Sequence, residues 1–153
     1  MAISFVAIPD IPSLKKIKPS LDDLTIKNRL KLQENGTAVF LILRDKDDPI
    51  GFVFLKWNGK PTHPEYPDME DLYIREDMRG KGYGTKLIDE CEQRAKEKGF
   101  KKIGLAVNPT ENLIAKKLYE KLGYIHDGKK SYVDGVYNGV EDIATDLEKR
   151  LKL

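Results

Sequence analysis

The feature of this 153-residue chain that most limits its folding is the run Arg79-Gly80-Lys81-Gly82-Tyr83-Gly84. It sits between a strand-like segment, 69–74, and an amphipathic segment that begins at about Tyr83. A strand, a glycine-rich turn and a helix bring consecutive backbone N–H groups and the positive end of a helix dipole around one point, which suits a phosphate. Glycine is needed because an anion can be ringed by N–H groups only at a closeness of approach that a Cβ obstructs. Arg79 and Lys81 add positive charge. Spacing rejects two better-known phosphate loops. A dinucleotide fingerprint needs glycine where Thr85 stands, and a P-loop needs Gly-Lys-Ser/Thr where this chain has Gly84-Thr85-Lys86.

The rest of the chain alternates strand and helix signals. Residues 3–8 suit a strand stopped by Pro9 and Pro12, and 13–17 a short helix ended by Pro19. Ser20 reads as an N-cap, with Asp22 and Asp23 in the first turn of a helix to about residue 34. Residues 37–44 and 50–57 form a hairpin across Asp45-Lys46-Asp47-Asp48-Pro49. A loop with Pro61, Pro64 and Pro67 precedes strand 69–74. The helix at 83–98 repeats Leu87, Ile88, Cys91 and Ala95 on one face and stops at Gly99. Strand 101–107 comes next, then a helix capped by Thr110 that runs to about residue 122, with Gly123 ending it and Tyr124 opening the next strand. Turn signals at Asp134-Gly135 and Asn138-Gly139, before partial alternation over 140–147, predict a closing antiparallel hairpin. The order implies an α/β (α+β) domain with a mixed sheet.

The length allows one domain, 1–153, and leaves no room for a second. Charged residues make up 34% of the chain but the net charge is only +2, which disfavours both disorder and a globally basic nucleic-acid binder. Lys96, Lys98, Lys101 and Lys102 are interspersed with Glu92 and Glu97, so no nucleic-acid partner is expected. The longest apolar run, 38–43, is far too short for a membrane span, and the N-terminus lacks a signal-peptide pattern, so a cytoplasmic location is expected. The one cysteine, Cys91, falls on the apolar helix face and reads as a buried, inert thiol. His63 and His126 have no Cys or His at ligand spacing and read as ordinary surface residues, so no metal is expected.

In this region the sequence resembles the GNAT superfamily of N-acetyltransferases, whose cofactor signature is Arg or Gln, two residues, Gly, one residue, Gly or Ala. Arg79, Gly82 and Gly84 fill it. A second signature lies past a strand that ends at Asn108, where Asn112, Ala115, Tyr119, Gly123 and Tyr124 match the family spacing. The resemblance covers 37–147. It implies a GNAT fold, a mixed and mostly antiparallel twisted sheet of about six or seven strands flanked by about four helices. It also implies an acetyl-CoA-binding core at about 37–147 and a variable acceptor-side start at about 1–36. By the same resemblance the backbone of Leu72, Tyr73 and Ile74 pairs with the pantetheine arm, and N–H groups from Met78 through Arg79, Gly80, Lys81, Gly82, Tyr83, Gly84 and Thr85 hold the pyrophosphate. Asn108 and Asn112 flank the pantetheine or the acetyl end. The implied activity is direct transfer from acetyl-CoA, the cosubstrate, to a small-molecule or peptide amine, and homodimers are common in such a family.

A free alkyl amine has a pKa near 10.4, so deprotonating it at neutral pH costs roughly three pKa units, about 4 kcal/mol. A base is therefore expected, usually acting through water. Glu70 is the first choice, since the Glu70-Asp71 pair is similar to that of diamine N-acetyltransferases, with Asp71 and Asp68 in reserve. Alternation puts Glu70 with Leu72 and Ile74 on one strand face and Asp71 with Tyr73 on the other, unless a bulge intervenes. Tyr119 stands at the family position of the acid that protonates the departing thiolate, a role its phenol pKa suits. The resemblance makes the N–H of Ile74 the oxyanion donor. Glu65, Asp68, Glu70 and Asp71 make an acidic approach suited to a cationic acceptor. The rival reading is a non-catalytic acyl-CoA-binding or regulatory module, against which the presence of both Glu70 and Tyr119 weighs.

Overall fold

The computed structural model describes residues 1–110 and 112–152. The chain runs β1 (Ala2–Phe5), a 3-10 turn, α1 (Ile11–Ile17), α2 (Asp23–Glu34), β2 (Ala38–Asp45), β3 (Asp48–Lys56) and β4 (Asp68–Ile74). After a 3-10 turn (Glu76–Met78) come α3 (Tyr83–Glu97), β5 (Lys102–Val107), α4 (Leu113–Lys121), β6 (Ile125–His126), β7 (Tyr132–Tyr137) and β8 (Val140–Arg150). The sheet order is β1-β2-β3-β4-β5-β8-β6, with β7 also on β8. Every pairing is antiparallel except β4 with β5. The mixed, mostly antiparallel architecture is the expected one. It has eight strands rather than six or seven because β6 and β7 both find partners along the long β8.

β2 and β3 are buried on both faces, as strands covered by helices on each side must be. Leu41, Leu43, Val53 and Leu55 face α3, where they meet Leu87, Ile88, Cys91 and Ala95. The alternate residues Phe40, Ile42, Phe52 and Phe54 face the other way, against Leu14 and Ile17 of α1 and Ile26 of α2. Cys91 is fully buried, and burial raises its thiol pKa, as an inert cysteine requires. No helix among the described residues is long and apolar enough to cross a membrane.

Several local expectations are corrected. β1 ends at Phe5, Pro9 lies in the 3-10 turn, and Pro12 lies in the first turn of α1 rather than ending the strand, a place it suits because a first-turn N–H has no intrahelical acceptor to lose. Asp22, not Ser20, caps α2, accepting from the N–H of Thr25 at 2.7 Å. Asn112, not Thr110, caps α4, accepting from Ala115 N–H at 3.3 Å; the Thr110 N–H is taken up at 3.1 Å by the Asn108 side chain. Glu92, expected among surface charges, is buried, accepting from the Tyr124 hydroxyl at 2.8 Å and pairing with Lys149 at 3.0 Å.

Two irregularities set the course of β4. Phe52 pairs with Tyr73 but Phe54 with Glu70, so β4 carries one extra residue, and Asp71 takes a left-handed conformation (φ 52°) at this bulge. On its other edge β4 meets β5 only through Asp68–Gly104 and Met69–Leu105; beyond Met69 it pairs with β3 alone. The two parallel strands therefore fork.

Candidate active site

The fork leaves one edge of the Leu72–Tyr73–Ile74 main chain without a strand partner among the described residues, an edge of the kind an extended ligand can complete, with the Ile74 carbonyl taken by Arg79. At its end the chain turns through Gly80 (φ 78°) and Gly82 (φ 85°) directly into α3. Apart from the adjoining residues, no heavy atom of the described residues lies within 4 Å of where a Cβ would stand on either glycine, so the turn offers open room above the backbone. No side chain among the described residues caps α3, and its first-turn N–H groups at Tyr83, Gly84 and Thr85 have no intrahelical acceptor. Uncapped donors, a helix dipole and open space fit a pyrophosphate. Lys81 is exposed beside them. Arg79 folds back: its Nε donates to the Ile74 carbonyl at 2.9 Å, and its guanidinium lies 4.9 Å from the Tyr73 ring centroid. Asn108 and Asn112 lie just past the diverging end of β5. Asn108 donates to Asp142 at 3.3 Å, and Asn112 holds the start of α4.

On the α1–α2 side, a cavity of about 800 Å³ lies between β4 and the segment that carries Lys18 and Arg29. The bulge overturns the simple alternation: Glu70 shares the face of Phe54 and Tyr73, not that of Leu72, and both Glu70 and Asp71 line this cavity. They are not equivalent. Asp71 is clamped by Lys18 at 2.7 Å and Arg29 at 3.0 Å, whereas among the described residues Glu70 has only Lys56, at 3.7 Å, as an ion-pair partner. Burial, then the charge of Asp68, pushes the Glu70 carboxyl above its ordinary range, against the pull of Lys56 and Arg29. A carboxylate that is lightly paired and raised toward neutrality is suited to take a proton.

His63 is not a surface residue: the proline-rich loop turns it inward, where its Nε2 lies 3.1 Å from Asp68 Oδ1 and its ring stacks on Tyr66 at 4.3 Å. Gly104 makes room, since a Cβ there would stand 2.9 Å from Tyr66 and 3.1 Å from His63. A glycine within an otherwise apolar strand was the one sequence signal of this close approach. Burial raises the Asp68 carboxyl, and against the effect of burial the Asp68 hydrogen bond raises the His63 imidazole, so the pair retains a shared proton to higher pH. His126 is exposed, as expected. Sequence reasoning missed Lys18 and Arg29, which reach the site only through the packing of α1 and α2 on the sheet.

Tyr119 lies half-buried on α4, its ring 6.4 Å from that of Tyr124 and packed on the α3-side core. Burial pushes its hydroxyl pKa above the ordinary phenol value. It does not line the cavity that holds Glu70: the two sit on opposite faces of the sheet, with the fork between them.

A profile of the acetyltransferase (GNAT) family matches residues 8–124, and the chain belongs to that family. It is 30% identical over 97 residues to an uncharacterized N-acetyltransferase of Methanocaldococcus jannaschii, covering 62% of this chain and 41% of that one. It is 33% identical over 72 residues to the thialysine N-epsilon-acetyltransferase of Sus scrofa, covering 47% and 39%. The chain thus spans about half or less of the length of these curated relatives. Among solved structures it superposes on a putative acetyltransferase, YncA, of Salmonella typhimurium, solved with its cofactor acetyl-CoA. The TM-score is 0.77 at 18% identity over 100% of this chain and 95% of that one, a likeness of fold.

Proposed function

We propose that this protein transfers the acetyl group of acetyl-CoA directly to a primary amine in a ternary complex. The carrying observation is the fork, where an unpaired strand edge leads to uncapped helix N–H groups. In this reading Leu72, Tyr73 and Ile74 pair with the pantetheine arm, and the turn from Met78 to Thr85 holds the pyrophosphate. Residues 37–147 form the cofactor part. Residues 1–36 form the acceptor side, supported by the places of Lys18 and Arg29 in the cavity wall.

Glu70, through a water, takes the proton of the acceptor ammonium, and the N–H of Ile74 holds the developing oxyanion. Tyr119, across the fork, gives its proton to the leaving sulfur. A base and an acid on opposite sides of the strand edge can serve the incoming and outgoing groups without competing for one space. The acceptor presents a cationic ammonium group: among the described residues lining the cavity, carboxylates outnumber cations six to four. The named substrate of the Sus scrofa relative is itself an amine, which is consistent with this class. The reading includes a homodimer, for which light scattering would give the mass of two chains.

Thermal unfolding with acetyl-CoA, CoA, ATP or NAD tests the cofactor site. At 100 times its dissociation constant a ligand adds about 2.7 kcal/mol, which is a rise of roughly 5–11 °C for a chain of this size. The CoA compounds should raise the midpoint and the other two should not; equal effects from ATP would sink the assignment. CoA binding without turnover of any amine would favour the non-catalytic module. Tyr119→Phe should lower kcat about 100-fold, the low end for acid catalysis because a thiolate leaves readily, with the acetyl-CoA midpoint shift kept. An unchanged kcat would remove Tyr119 from the mechanism.

A further inference from the structure

Two buried polar atoms of residues in the cavity wall have no hydrogen-bond partner among the described residues: Nη1 of Arg29 and Oδ2 of Asp68. One is a donor and the other an acceptor. Leaving either unmatched in the folded protein costs about 1–3 kcal/mol, so each marks a place where a ligand group of the opposite kind would be stabilised.

Arg29 cannot turn away to solvent. Its Nη2 is held by Asp71 at 3.0 Å, its guanidinium lies 5.2 Å from the Phe40 ring centroid and 5.3 Å from that of Phe54, and its side chain is only 12% exposed. Asp71 does not neutralise the cluster, because Lys18 binds the same carboxylate at 2.7 Å. Lys18, Arg29 and Asp71 together carry one net positive charge. A fixed guanidinium with a free N–H and a surplus positive charge is a seat for a carboxylate.

Asp68 is the opposite case. Its side chain is 1% exposed, and Oδ1 is bonded to His63 at 3.1 Å while Oδ2 is open. It stands two residues before Glu70 on the same strand face, opposite Lys56 as Glu70 is opposite Phe54. An ammonium placed there would meet Asp68 and Glu70 together.

We propose that the acceptor is zwitterionic: an amino acid whose carboxylate is held by Arg29 and whose ammonium is held by Asp68 and Glu70. This rests on the acetyltransferase reading and narrows its substrate class. Glu70, through a water, takes one proton from the ammonium, and the nitrogen lone pair bonds to the thioester carbonyl carbon. The C–S bond breaks with its electron pair on sulfur, which Tyr119 protonates, and the amide nitrogen sheds its remaining extra proton to water. The products are an N-acetyl amino acid and CoA. A polyamine without a carboxylate would leave Arg29 Nη1 unmatched.

The test is acetyl transfer by the full chain to a panel of amino acids, lysine and ornithine included. Each is paired with its carboxamide, and cadaverine, putrescine and spermidine serve as carboxylate-free amines. At least one free amino acid should exceed its carboxamide and all three polyamines by about tenfold or more in kcat/KM. In Arg29→Gln that acid-to-amide ratio should fall toward one. Polyamines turned over as well as the amino acids would overturn the proposal, as would an acid-to-amide ratio that survives in Arg29→Gln. The wild-type panel decides even if the variant fails to fold. Turnover of none of the amino acids by protein that still gains stability from acetyl-CoA would overturn the acceptor class alone, whereas loss of that gain would overturn the acetyltransferase reading beneath it.

Discussion

Glu70→Gln lowers kcat/KM about 1,000-fold, the middle of the range for loss of a general base, while the stabilisation by acetyl-CoA is unchanged. The substitution keeps the shape of the side chain and removes both its capacity to take a proton and the charge that attracts the ammonium. The pH profile gives an independent reading. A base must be ionised to act, so wild-type kcat/KM falls as pH drops through the Glu70 pKa, which burial and Asp68 place above the ordinary carboxylate value. The acid limb should lie above the usual range for glutamate and be missing from the variant. Asp71→Asn is the control. It releases Lys18 and Arg29 from their shared counter-ion, so its larger effect should be on thermal stability. If Asp71→Asn abolishes turnover and Glu70→Gln spares it, Asp71 is the base.

Gly59→Ala should cost about 3 kcal/mol, a fall in midpoint of roughly 6–12 °C. Gly59 has φ 65°, and an added Cβ would overlap the carbonyl oxygens of His63 and Tyr66, both backbone atoms that cannot swing aside. Relief requires moving the loop that carries His63 into the sheet, so the Asp68 pairing goes with it. The gain in stability on adding acetyl-CoA should survive, because the glycine turn before α3 is a separate segment. A midpoint within about 2 °C of wild type would show that the loop has slack the packing does not suggest.

Much of the frame was legible in the residues. The hairpin of β2 and β3 and the helix α3 rest on short-range periodicity, and the glycine turn needs no tertiary information. A bulge in β4 was left open by the sequence, but its place at Asp71 was not legible, because alternation on paper continues through it and only pairing with β3 reveals the extra residue. That single residue decides which face Glu70 takes. His63 defied its reading because its burial depends on a loop folding over Gly104 in a strand some forty residues away. Lys18 and Arg29 carry no local sign of function; they matter only because α1 and α2 lie across β4. Tyr119 was legible from spacing, but its separation from Glu70 by the sheet was not.

The narrow contact between β4 and β5 also bears on mechanics. Among the described residues only two register pairs join β4 to β5, and the other links between the halves of the sheet are packing through α3 and side-chain bonds such as Tyr66 to Glu148 and Lys149 to Glu92. A ligand laid along the fork would act as a stitch across a seam, so that force or thermal agitation applied to one half reaches the other through the bound molecule. The ligand would thus add a tie to a join that otherwise rests on two register pairs and on the core that both halves share against α3.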